Sequence, residues 1–81
     1  MKTYHFELIL NRPTTEADDE QLFEHFHGRV SPALANGVPI LYVHLPAPSM
    51  DHAIREAIRG VTHLDLSVKR IEVDPSIFVA A

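Results

Sequence analysis

Apolar residues along this chain recur first at every second position, then at every third or fourth, then at every second again, and this switching limits the fold more than any other feature. From Thr3 to Leu10 the pattern alternates. Tyr4, Phe6, Leu8 and Leu10 fall on one side, and Thr3, His5, Glu7 and Ile9 on the other, the period of a half-buried strand. Asn11-Arg12-Pro13 ends it, because proline lacks a ladder donor and disfavours helix at the residue before it. Thr14 or Thr15 then caps a helix predicted to run to about Phe26. Glu16, Asp18, Asp19 and Glu20 crowd its dipole-positive first turns. Ala17, Leu22, Phe23 and Phe26 supply its apolar side, and Gly28 marks its stop.

Arg29 to Ala35 reads as a weak strand that Pro32 places at a sheet edge. Asn36-Gly37 is a hairpin signal, since both residues tolerate the positive φ of a type I′ turn. The following strand runs from about Val38 to Leu45, with Leu41, Val43 and Leu45 on one face and Ile40, Tyr42 and His44 on the other. Pro46-Ala47-Pro48 is expected to close it. Ser49 caps a second helix whose residues Met50, Ala53, Ile54, Ala57, Ile58 and Val61 form an unbroken apolar stripe, ending at Gly60 or just after. The last strand, Leu64 to Val73, slips in parity, so a bulge is expected near Lys69 and Arg70. Asp74-Pro75 is read as its terminator, before the short apolar stretch Ile77-Phe78-Val79.

Strand, helix, strand, strand, helix, strand is the order of a ferredoxin-like α+β domain. The expected architecture is one domain over residues 1–81, with a four-stranded antiparallel sheet in the order 4-1-3-2 and two helices on one face. The right-handed crossover rule suggests strands one and three as parallel neighbours in the middle. Phe6, Leu8, Leu10, Leu41, Val43 and Leu45 would face the helices and leave the opposite face open.

Composition sets limits on what such a domain does. With 81 residues there is room for one modest core and no second lobe. A formal charge of −4 argues against direct nucleic-acid binding by this chain alone, which depends on Lys and Arg neutralising phosphates. The absence of Cys excludes disulfides, thiolate zinc sites and thiol nucleophiles. Neither a membrane span nor the apolar core of a signal peptide is legible, so the expected location is cytoplasmic, with no membrane partner.

Six His residues require a metal site to be weighed. His5 and Glu7 on the first strand and His44 on the third share the open face, but no HExxH-type signature accompanies them, and ordinary surface histidines are the expectation. His25 and His27, two apart at a helix end, point in different directions, while His52 and His63 have no evident partner. No Ser sits in a GxSxG setting, Asp51 and His52 are separated by about 100° on a helix, and three Gly make no phosphate loop. No catalytic residues and no cofactor are expected. RNA binding on the sheet, as in RRM domains, would use Tyr42, His5 and His44, but the RNP pattern is missing.

Ala47-Pro48-Ser49-Met50 with Ala53-Ile54, Ala57-Ile58 and Val61, the opening Met1-Lys2-Thr3-Tyr4-His5-Phe6, Asn36-Gly37-Val38 and Val68-Lys69-Arg70-Ile71-Glu72 resemble a group of small bacterial regulators. These are DNA-binding proteins with an excisionase-type helix-turn-helix after such a domain, or antitoxin-like proteins. Ala81 falls about where that helix-turn-helix would begin. The resemblance implies a non-catalytic regulatory or antitoxin-like module that binds protein. The alternative is a small ligand, a cation or single-stranded nucleic acid on the open face. In either case the candidate binding residues are His5, Glu7, Ile40, Tyr42 and His44. A homodimer is also expected, with Ile9, Ile40 and Tyr42 forming an apolar patch that faces solvent.

Overall fold

A computed structural model describes residues 1–73. Its elements are β1 (Lys2–Leu10), α1 (Glu16–Phe26), β2 (Val30–Ala35), β3 (Val38–Ala47), α2 (Met50–His63) and β4 (Val68–Glu72). The sheet order is β2-β3-β1-β4, which is the expected 4-1-3-2 read from the other edge, and all neighbours run antiparallel. This is a ferredoxin-like α+β fold. The terminator Asp74-Pro75 and the apolar stretch Ile77-Phe78-Val79 lie outside the described residues.

One topological expectation is corrected: β1 and β3 are neighbours, but antiparallel. The crossover rule governs the strands joined through a helix. β1 and β2 are both antiparallel to β3 and therefore parallel to one another, with β3 inserted between them.

Leu8, Leu22, Leu41, Leu66 and Val61 are fully buried, and residues of both helices share one core with the Phe6–Leu8–Leu10 side of the sheet. α2 buries Ala53, Ala57, Gly60 and Val61, with Ile54 and Ile58 packed at the margins. α1 buries only Leu22 and Phe26. Phe23, assigned by its apolar character to the buried side, is instead 66% exposed, because it follows Leu22 by about 100° around the helix.

Both helix starts are capped as expected. Thr15 Oγ1 accepts from Asp18 N while the Asp18 carboxylate accepts from Thr15 N, a capping box with Asp in place of Glu. The Arg12 guanidinium donates to Asp18 Oδ2 at 2.8 Å. Together, Arg12 first and then the Thr15 N–H, they hold the Asp18 carboxyl below its ordinary value. A lowered carboxyl pKa stabilises the fold above the unfolded value and ceases to do so as the pH falls through the folded one. Thr15→Ala should therefore cost about 1 kcal/mol at pH 7. Asp18→Asn should flatten the loss of stability on acidification below about pH 4, as read by urea unfolding at pH 7 and pH 3.

The hairpin forms as predicted, with Asn36 at φ 52° and Gly37 at φ 79°. β3 continues past its expected stop to Ala47, opposite Lys2, so Pro46 lies within the strand. His44 N donates to Arg29 O, so the backbone of even-numbered β3 residues faces β2. The donor missing at Pro46 falls on that same side, beyond the start of β2 at Val30, where no partner strand is interrupted. By the same alternation Ser31, Ala33 and Ala35 turn their backbone groups toward β3, and Val30, Pro32 and Leu34 turn theirs outward along the sheet edge.

β4 begins later than Leu64. Leu64 caps α2, Asp65 takes a left-handed conformation at φ 62°, and Leu66 N bonds Val61 O. This Schellman-type closure returns Leu66 to the core as loop rather than strand. The expected bulge is present: Arg70 lies opposite Ile9 and Val68 opposite Leu10, leaving Lys69 as the extra residue.

Candidate functional site

The sheet face away from the main core is built by cross-strand register. His5 lies directly opposite His44, and Glu7 opposite Tyr42 on one side and Glu72 on the other. Residues directly opposite one another point to the same face, so β1, β3 and β4 bring His5, Glu7, Tyr42, His44 and Glu72 together. They line a shallow concavity of about 250 Å³. The His5 and His44 rings stack with centroids 6.0 Å apart and planes inclined by 26°. Tyr42 is 42% exposed, His5 is exposed, and Glu7 and His44 are half-buried.

Four of the five expected residues thus meet. Ile40 shares the face but is only 9% exposed, and its register partner Ile9 only 2%. The solvent-facing apolar patch expected of Ile9, Ile40 and Tyr42 is therefore reduced to Tyr42. Ile9 occupies the middle of a cross-strand row, with Ile40 on one side and Arg70 on the other. Glu72 escaped the sequence reading. Its place follows from the bulge expected near Lys69 and Arg70, which puts Ile71 on the core side and Glu72 on this face, although Glu72 was not singled out from the sequence.

Electrostatically the face favours cations. Glu7 and Glu72 are like charges directly opposed across two strands, an arrangement that destabilises the sheet unless a positive group intervenes. Arg70 Nε approaches Glu72 Oε1 at 3.4 Å, but both side chains are about half exposed, and such a pair contributes little. Among the described residues no three His, Asp or Glu side chains converge closely enough to hold a metal ion.

Other polar groups singled out in the sequence have local roles. Ser49 Oγ accepts from His52 N at 3.1 Å as a helix cap, and Asp51 pairs with Arg55 one turn on at 2.9 Å. No helix among the described residues is long and apolar enough to cross a membrane. No family model, curated protein or solved structure matches the chain.

Proposed function

We propose that this chain is a non-catalytic regulatory module, of the antitoxin-like kind its sequence resembles, that holds a basic segment of a protein partner on the open sheet face. The observation that carries this reading is the register that sets Glu7 directly against Glu72 beside exposed Tyr42. Two opposed carboxylates next to an aromatic ring suit a Lys or Arg side chain, which meets the carboxylates as an ion pair and the ring by cation–π attraction. The stacked His5–His44 pair favours a second reading, a small ligand, a cation or single-stranded nucleic acid resting on the same face.

Amide shifts in ¹⁵N spectra, followed with three titrants, test both. A Lys/Arg-rich decapeptide should move the amides of Glu7, Tyr42 and Glu72. A Glu/Asp-rich decapeptide and oligo-dT should not. The double variant Glu7→Gln with Glu72→Gln should weaken basic-peptide binding at least tenfold. Shifts confined to α1, or a response to oligo-dT lost in Tyr42→Ala and His44→Ala, would overturn the peptide reading. A second copy of the chain as occupant would show as concentration-dependent shifts of the same amides without any titrant.

A further inference from the structure

We propose a second site, independent of the open sheet face: a divalent transition-metal ion of the zinc, nickel or copper class held between His25 of α1 and His63 of α2. The two rings lie at the C-terminal ends of the two helices with centroids 5.9 Å apart. Two imidazoles bound to one ion through nitrogens at about 2.0–2.1 Å place their centroids roughly 5–6.5 Å apart, depending on the angle at the metal.

Gly60 creates the juxtaposition. A Cβ built there would stand 2.8 Å from His25 Nε2 and 2.4 Å from Phe26 Cζ, so the end of α1 occupies the space a side chain at position 60 would take. Glu56, Gly60 and His63 follow one another at steps of four and three, on one face of α2. His25 Nε2 is therefore inserted into that row between a carboxylate and an imidazole. Helical side chains lean toward the N-terminus, which carries His63 over the turn holding Gly60 and toward His25. The same lean takes Glu56 away from the other two, consistent with the absence of a three-residue cluster among the described residues. Rotation of exposed Glu56 supplies the third ligand, and water completes the shell.

Two further features favour a cation here. Both imidazoles sit in the last turns of their helices, where the dipoles present their negative ends. The exposed His25 ring also rests edge-on to Phe26 at 4.8 Å and beside Gly60 of α2, contacts that reduce, without removing, the order lost on binding. Arg59 lines the same groove and opposes the ion. At His5 and His44 a similar ring separation occurs, on a solvent-facing sheet without converging helix ends.

Zn²⁺ and Ni²⁺ titrations of the full chain at pH 7.5, read by ¹⁵N spectra and by thermal unfolding, test the site. The expected result is shifts at His25, Gly60 and His63, broadened by Ni²⁺, and a rise in the melting temperature. His63→Ala should raise the Kd at least tenfold and Glu56→Gln several-fold, while His52→Ala, at an exposed histidine outside both sites, leaves it unchanged. Both His63 and Glu56 are exposed, so these variants retain the fold. Shifts centred on His5 and His44, a response insensitive to His63→Ala, or no response at millimolar metal would each overturn the proposal.

Discussion

Leu41→Ala is expected to remove about 3–4 kcal/mol of folding stability, within the range found for fully buried leucines. Leu41 is 0% exposed on β3, directly opposite Leu8 on β1 and Pro32 on β2. With ordered strands on both sides, the backbone has little freedom to collapse into the vacated volume. A domain of this size has a total stability of roughly 4–12 kcal/mol, so the loss is a large fraction of the whole. The melting temperature should fall by about 15 °C or more. Urea unfolding followed by circular dichroism reads the effect, with an unchanged m-value expected. A loss below about 1 kcal/mol would show that this position is not at the centre of the core.

Gly60→Ala should also destabilise, against what helix propensity alone suggests. Alanine in place of glycine inside a helix is worth about 1 kcal/mol in favour of the helix. Here the added methyl would lie 2.4 Å from Phe26 Cζ. Phe26 is 5% exposed within the core and has no room to withdraw, unlike the exposed His25 ring that would also be met. Overpacking of this kind costs about 1–3 kcal/mol and occasionally more, so the net change is a loss of up to about 2 kcal/mol. Thermal unfolding of the variant beside the wild type measures it. A rise in melting temperature would mean that the two helix ends do not approach as described.

Where structure was legible in the sequence, the signal was local. The alternation Tyr4-Phe6-Leu8-Leu10, the Asn36-Gly37 turn and the stripe from Met50 to Val61 each report their own backbone conformation, and each formed where expected. Misread features depend on distant partners. Phe23 is apolar like Leu22, and the placement of α1 against β2 and α2 decides which of them is covered. Leu64 and Leu66 continue the strand alternation, yet the Asp65 turn that closes α2 puts them in a loop. Ile9 and Ile40 read as solvent-facing by parity, and parity carries nothing about what flanks them in the sheet. Within the candidate site, His5, Glu7, Tyr42 and His44 were legible as members of one face. Glu72 was not singled out, although the parity slip that marks the bulge at Lys69 carries the signal that joins it to them. The closeness of His25 and His63 was equally hidden, since it arises from a missing side chain at Gly60.

Pro32 has a consequence for growth of the sheet beyond a single molecule. Along the outer edge of β2 the outward-facing positions are Val30, Pro32 and Leu34, and the middle one offers no N–H. The donors that remain, at Val30 and Leu34, are four residues apart, about 13 Å in an extended strand. An incoming strand meets a gap where its central bond would form, so this edge is a poor template. In the language of polymerisation, a subunit with one deactivated end can terminate a chain but cannot extend it. Restoring that donor while keeping the β2–β3 ladder intact, as Pro32→Val would do, turns a terminator into a potential chain carrier.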